Sequence, residues 1–374
     1  MLVYDLRGSG VVQNALRIAR AARESGLDVS LWPMRRQGDL LGAVPDDVPV
    51  RPLHGLATSR SRDLDSLFSV KALTRAIDHH RPEILFSCGN HTHLHAALAL
   101  RQVAPRDRIR FLGRASNAIV SAPGQRGRWR GLIRPVERFQ YAAMDRLIAV
   151  SGELARDLAT LGIAPERIET IPNGIDLGAI EAAATAPMLH PFFAEDGPPV
   201  VLGIGRLSRQ KNFEGLMRAF AVARAQRPLR LMILGPGSES RVARLQRLAA
   251  RLGIARDFAL EGFVANPFPY LAGASLFVLN SRWEGASNVL IEALACGCPV
   301  VATRAPTGIA EVLIEGRLGP LVAVGDDDAL AEAILDRLAQ PRGSAALRQR
   351  AADYDLGRTL SAYVRLLESE LGQD

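Results

Sequence analysis

Cysteine is scarce in this 374-residue chain, with only Cys88, Cys296 and Cys298. Three thiols, an odd number, exclude a disulfide scaffold and favour a reducing compartment. Aromatic residues reach 5% with no basic repeat among them, which argues against nucleic acid as the main partner. The longest apolar runs, such as LFVLN and CPVVAT, fall far short of the ~20 residues of a membrane span. The opening MLVYDLRGSG has no basic stretch leading into an apolar one, so no secretory signal is expected and the reading is of a soluble, cytoplasmic protein. Lysine is nearly absent too. Lys71 and Lys211 stand among 46 basic residues that are otherwise arginine, which makes Lys211 conspicuous.

What is present is globular material. The chain is 48% hydrophobic and 23% charged, and its length suits two domains. The net charge of +7 is uneven: residues up to 190 hold 25 basic against 19 acidic groups, the remainder 21 against 20. Eleven arginines crowd 101–146 against Asp107, Glu137 and Asp145.

Short β-branched runs alternate with helical periodicity in both halves. In the first, strands are expected at 2–6, 27–32, 83–88, 108–113 and 146–151, with helices at 11–26 and 93–104. In the second, strands are expected at 200–205, 230–235, 257–264, 274–280, 298–303 and 318–324. The helices between them fall at 212–226, with Asn212 as N-cap, 241–253, 288–297 and 326–340, and a last one near 357–371. This alternation predicts right-handed βαβ units and parallel sheets. Residues 169–199 hold five prolines and no strong periodicity, so the domains are expected at 1–180 and 199–352, with a linker at 181–198 and a terminal helix at 353–374. Two such domains bind ligands at the carboxyl ends of their strands, in a cleft.

Two constellations carry chemistry. GIGRLSRQKN leaves a strand through glycines and places Arg206 and Lys211 around a short loop that enters a helix, where two cations can clamp a diphosphate. It is neither a P-loop nor a dinucleotide fingerprint. In NSRWEGASNVLIEALACG, Glu284 lies on the loop after a buried strand, and Ser287, Asn288 and Val289 open a helix whose free N–H groups suit a phosphate. Glu292, one turn inside that helix, can reach the hydroxyls of an attached ribose.

These stretches, with EGFVANPFPYLAGASLFVLN between them, resemble the second domain of retaining GT-B glycosyltransferases of family 4. The resemblance is close over about 200–340. It is looser in the first half, through RGSG, DRLIAVSGELARDL and IPNGID. It implies an α/β GT-B fold, two Rossmann-like doubly wound domains facing across a cleft, with the C-terminal helix returning to the N-terminal domain. It implies a nucleotide-sugar donor, UDP-linked, and a glycan or lipid-linked acceptor of bacterial surface polysaccharide or glycolipid synthesis. By it, Arg206 and Lys211 hold the diphosphate, Glu284 touches the donor sugar, Glu292 binds the ribose, and the backbone around Phe263 and Val264 holds the base. Gly8 and Gly10 stand in the turn that approaches the phosphates in relatives. Where relatives carry a first-domain histidine this chain offers Arg114 and Asn117, while His91, His93 and His95 cluster at the preceding strand end. Residues 305–326 resemble a surface-polysaccharide subgroup that usually has proline at Ile309. No cofactor or metal is expected, since no acidic group adjoins the histidines.

Two other readings stay open: a nucleotide-sugar epimerase-like reaction on the same fold, or an inactive module that binds a glycan or partner. Arg126, Arg128, Arg130 and Arg134 surround Trp129, Leu132 and Ile133, a pattern expected to rest on an anionic membrane at the inner face of the plasma membrane.

Overall fold

The computed structural model describes residues 1–372 except 36, 54–61, 104–108, 120–129, 189 and 307; the side chains of 62–68 and 130–132 also lie outside the described set. The chain divides into two compact units. The first runs to Asn173 and resumes at Gly357; the second holds Gly174–Leu356.

The first unit is built on a parallel sheet of β1 (Leu2–Val3), β2 (Trp32–Pro33), β3 (Ile84–Ser87), β4 (Arg110–Ala115), β5 (Arg146–Ala149) and β6 (Ile168–Thr170), in the order β2-β1-β3-β4-β5-β6. The first two strands are shorter than their apolar patterns predict, pairing only as Leu2 with Trp32 and Val3 with Pro33. Helix Gly10–Glu24 buries Val12, Ala15, Leu16, Ile18, Ala19 and Ala22. These pack with Leu112, Ile148 and the terminal helix residues Tyr363, Leu366 and Leu367 in one core. The last helix, Leu356–Leu371, therefore belongs to the first unit from Gly357 onward.

The second sheet contains β7 (Val200–Ile204), β8 (Arg230–Leu234), β9 (Phe258–Leu260), β10 (Leu276–Leu279), β11 (Val300–Thr303) and β12 (Leu321–Val322), in the order β12-β11-β10-β7-β8-β9. Its strands are apolar on both faces, as a parallel sheet covered by helices requires. Val201, Leu231, Ile233, Leu276, Val278 and Val301 enter one core. Leu202, Met232, Leu234, Phe277, Leu279 and Val300 enter the other.

The expected linker at 181–198 is corrected: the chain crosses at Asn173–Gly174, and again at Leu356–Gly357. The proline-rich segment is absorbed by the second unit because its apolar residues have somewhere to go. Ile180 is buried in that core with Leu177, Phe192 and Phe193 against it. Arg230 Nη1 ties the segment down by donating to the carbonyls of Pro191 (3.1 Å) and Phe192 (2.9 Å). The two crossings run side by side, with Ile175 N donating to Tyr354 O and Leu356 N to Ile175 O, each at 2.9 Å. Among the described residues no helix is long and apolar enough to cross a membrane.

Candidate active site

In each sheet, successive connections leave one pair of neighbouring strands in opposite directions, and ligands of open α/β sheets bind at that switch point. In the second sheet it lies between β7 and β10. The loop after β7 carries Arg206 and Lys211; the loop after β10 carries Glu284. Topology alone brings residues 73 positions apart to one edge.

Local structure then sets the contact. Gly205 has φ +150°, and a Cβ there would stand 2.8 Å from Lys211 Cε, so the bare backbone leaves room for the lysine chain. The two loops are laced together. Arg282 N donates to Gln210 O at 2.7 Å, and Gln210 Nε2 to Trp283 O at 2.9 Å. Asn212 occupies the N-cap position expected of it but does not cap with its side chain; it sits at φ +48°. Its carbonyl accepts from Asn280 Nδ2 and its Oδ1 from Arg282 Nη2, both at 3.1 Å. Across this lacing, Lys211 Nζ meets Glu284 Oε1 at 2.7 Å, and Ser281 Oγ donates to the same oxygen. Both partners are largely buried, so removal of either leaves an uncompensated charge.

The remaining expected residues of this unit lie on the same edge. Arg206 is exposed, five positions before Lys211. Ser287 stands at the start of helix Asn288–Ala295, buried, with its Oγ lacking a hydrogen-bond partner. Asn288, Val289 and Glu292 are partly exposed on that helix. Phe263, beyond β9, is 74% exposed, while Val264 packs on the core. Ser281, Gln210 and Arg282 were not singled out in the sequence, and Asn212 only as an N-cap, because their function is to join loops, which no spacing rule reveals.

The first unit departs from expectation. Its switch point lies between β1 and β3. Gly8 and Gly10 are exposed there, but Gly8 N already donates to Asp39 Oδ1 at 2.9 Å. Ser9 caps helix Gly10–Glu24 by accepting from Val12 N. His91 is exposed, its ring 6.4 Å from that of Tyr4, and Asn117 is exposed beyond β4. His93 and Arg114 are corrected: neither faces an open edge. His93 lies inside helix Asn90–Leu100, fully buried, with Nδ1 2.7 Å from Ser87 Oγ, and burial pushes its pKa down to about 3. Arg114 shares with Leu112 the covered face of β4 because strand side chains alternate. It is 2% exposed, donating from Nε to Tyr363 Oη at 2.9 Å and from Nη2 to Asn173 Oδ1.

Arg126 and Arg128 of the arginine-rich segment lie outside the described residues, as do Trp129 and the side chains of Arg130 and Leu132. Burial pushes Cys88 up to about 11 and Cys296 and Cys298 to about 12, so the thiols are inert at neutral pH. Among the described residues no group of three or more His, Cys, Asp or Glu is arranged to hold a metal.

Known proteins share this architecture. A glycosyltransferase from Rickettsia africae ESF-5 superposes with a TM-score of 0.77 at 16% identity, covering 100% of this chain and 98% of that one. Anabaena Alr3699/HepE, solved in complex with UDP, gives 0.77 at 20% identity, covering 98% and 99%. The lipopolysaccharide core biosynthesis glycosyltransferase LpsE of Rhizobium meliloti (strain 1021) is 30% identical over 241 residues, 63% of this chain and 68% of that protein. The N-acetylgalactosamine-N,N'-diacetylbacillosaminyl-diphospho-undecaprenol 4-alpha-N-acetylgalactosaminyltransferase of Campylobacter jejuni is 33% identical over 200 residues, 54% of this chain. That match spans 52% of the relative, about half its length. Two parallel six-stranded sheets in separate units, matched by these structures, define the GT-B class. The family models for glycosyl transferases group 1 and glycosyltransferase family 4 match residues 198–340 and 8–179, and the chain belongs to that family.

Proposed function

We propose that this chain transfers a glycosyl group from a nucleoside-diphosphate sugar, UDP-linked, to a hydroxyl of a glycan or lipid-linked acceptor, with retention of anomeric configuration. The observation that carries the reading is the buried Lys211–Glu284 pair at the second switch point, next to an opening helix whose Ser287 hydroxyl has no partner. Lys211 and Arg206 take the diphosphate, with the N–H groups at Ser287, Asn288 and Val289 supplying further donors. The bond from the sugar's anomeric carbon to the β-phosphate oxygen breaks, and that oxygen keeps the electron pair. The acceptor oxygen attacks from the same face, and its proton passes to the departing phosphate. Glu284 holds the donor sugar and Glu292 the ribose, with the base at Phe263 and Val264. Side-chain cations and helix N–H groups carry the phosphate charge, so no metal is assigned, and a chelator is expected to leave turnover intact.

Support for the donor comes from the Anabaena protein, solved with UDP and with UDP-glucose. Support for a lipopolysaccharide or lipid-linked acceptor comes from the names of the Rhizobium and Campylobacter relatives. The exposed Arg134, Val136 and Arg138 of helix Arg130–Ala142 support a peripheral seat on an anionic membrane at the cytoplasmic face. Salt-sensitive co-sedimentation with anionic vesicles tests that part. The donor is tested by thermal shift with UDP, GDP and their sugars, since a bound ligand raises stability by mass action. A shift with GDP and none with UDP would reject the nucleotide assignment. Glu292→Ala is expected to weaken donor binding and Glu284→Ala to lower turnover in the bound complex; a raised Michaelis constant alone in both would reject their roles.

A further inference from the structure

Lys211 is flanked by two residues, Gln210 and Asn212, that both reach across to the loop of Glu284. Asn212 is the more committed of the two. Its carbonyl starts helix Phe213–Gln226 by accepting from Gly215 N at 3.0 Å and Leu216 N at 3.2 Å, and also takes Asn280 Nδ2 at 3.1 Å. Its Oδ1 takes Arg282 Nη2. The backbone at φ +48° is one that asparagine tolerates better than other side chains do. Only 6% of Asn212 is exposed, and its side-chain oxygen is already engaged, so it offers little to a ligand.

The surroundings leave this asparagine no slack. Gly215 is bare where three polar side chains converge: a Cβ there would stand 2.6 Å from Asn212 Nδ2, 2.8 Å from Asp327 Oδ1 and 2.9 Å from Asn280 Nδ2. Asp327 is held in turn by Arg218 Nε at 2.6 Å. On the facing loop, Arg282 makes no ion pair among the described residues, and its Nε is closed off from solvent without a hydrogen-bond partner. Its guanidinium is committed to the Asn212 amide. One inter-loop bond thus lies a single residue from Lys211 and two residues from Glu284.

We propose that Asn212 and Arg282 are positioning residues, whose bond is a strut between the two loops that sets where Lys211 and Glu284 meet the donor. This rests on the assignment of that pair to the donor. A displacement of about 1 Å in a catalytic constellation can cost about 10²-fold in rate, so a strut remote from the chemistry can govern it.

The sequence supplies the probe, because Lys71 and Lys211 are its only lysines. In the full chain grown with isotope-labelled lysine, each side-chain amine gives its own magnetic resonance signal, and exposed Lys71 in the first unit is the control. Asn212→Gly keeps the backbone conformation and removes the amide; Arg282→Met keeps an unbranched chain and removes the donor. Each is expected to move the Lys211 signal and to leave that of Lys71 in place. Each should slow UDP release from saturating UDP-glucose about tenfold, with UDP affinity within about twofold of the wild type. The double variant should be no slower than either single one, because the two ends of one strut are lost only once. Losses that multiply to about 100-fold, or a tenfold fall (about that size) in UDP affinity for Arg282→Met, would overturn the proposal and make Arg282 a group that touches the donor. A Lys211 signal unmoved in both variants overturns it too. Where Asn212→Gly does not fold, Arg282→Met decides by its own Lys211 signal and UDP affinity. If the wild type neither binds UDP nor releases it from UDP-glucose, the donor reading fails, while the Lys211 signal still decides the strut.

Discussion

The two switch points have the same topology and opposite chemistry. Between β7 and β10 the strand ends meet a lysine–glutamate pair at 2.7 Å, a row of inter-loop hydrogen bonds and an opening helix. Between β1 and β3 the Gly8 amide is already occupied by Asp39, and just beyond, His93 and Arg114 turn inward. A parallel sheet supplies an edge with helix N-termini wherever its connections diverge; the loop side chains decide whether that edge carries charge. The second unit keeps its charges at the edge, where a diphosphate would need them. The first unit has buried Arg114, and the charges on its own edge are already engaged, Arg7 with Asp5 at 2.5 Å and Asp39 with the Gly8 amide at 2.9 Å.

That contrast is open to experiment. The largest effect is expected at the charged edge: Lys211→Ala and Arg206→Ala should each lower donor turnover by about 10²-fold, the loss typical of one electrostatic stabiliser. Turnover of either variant near that of the wild type breaks the comparison, because the second edge would then be no more committed to phosphate than the first. Arg114→Met should behave in the opposite way. It removes the Arg114 hydrogen bonds to Tyr363 Oη and Asn173 Oδ1, with a stability loss of about 2 kcal/mol, partly offset by removal of a buried cation. UDP affinity should not change, and chemical denaturation together with calorimetry reads both quantities. A weakened UDP affinity at full stability would mean that Arg114 serves the ligand after all.

His93 sharpens the same point through pH. Its folded pKa of about 3 lies below the unfolded value near 6.5, so the unfolded chain binds the extra proton in that window. The stability this histidine contributes is present above pH ~6.5 and is lost as pH falls toward ~3, at up to about 1.4 kcal/mol per pH unit. Urea unfolding of His93→Asn, less stable at neutral pH, should show a shallower acid slope than the wild type. An identical slope would place the histidine in contact with water.

The smallest effect concerns Glu137, whose shift has the reverse sign. Its raised folded pKa means that the native state holds the proton more tightly between about 4.5 and about 7, so stability falls as pH rises through this range and the penalty is full above it. Glu137→Gln should therefore raise the melting temperature slightly at alkaline pH and leave it unchanged in acid. A uniform shift at all pH values would remove the carboxyl's burial as the cause.

Much of the second unit was legible in the residue order. Strand runs such as VVLGI and LFVL are apolar at every position because both faces are covered, and the loops that follow them carry the charged residues in a short, ordered motif. The first unit was less legible. LVYDL reads as a five-residue strand but pairs over only two residues, and the proline-rich 181–198 reads as a linker although its phenylalanines pack in the second core. Glu137 stands in an arginine-rich stretch with nothing in its spacing to separate it from a solvated helix residue.

Sequence periodicity by itself determined the alternation of strands and helices, the doubly wound character of both halves, the loops of Lys211 and Glu284 and the helix of Glu292. Strand Ile168–Thr170 and helices such as Arg62–His80 and Gly152–Thr160 escaped it; what it caught depends on local burial patterns and helix starts. Side-chain direction and partnership were decided only in the tertiary structure. Whether Arg114 meets solvent or Tyr363, and whether the Glu137 carboxyl is paired, depends on groups brought together from distant segments by packing. No local pattern encodes such a meeting.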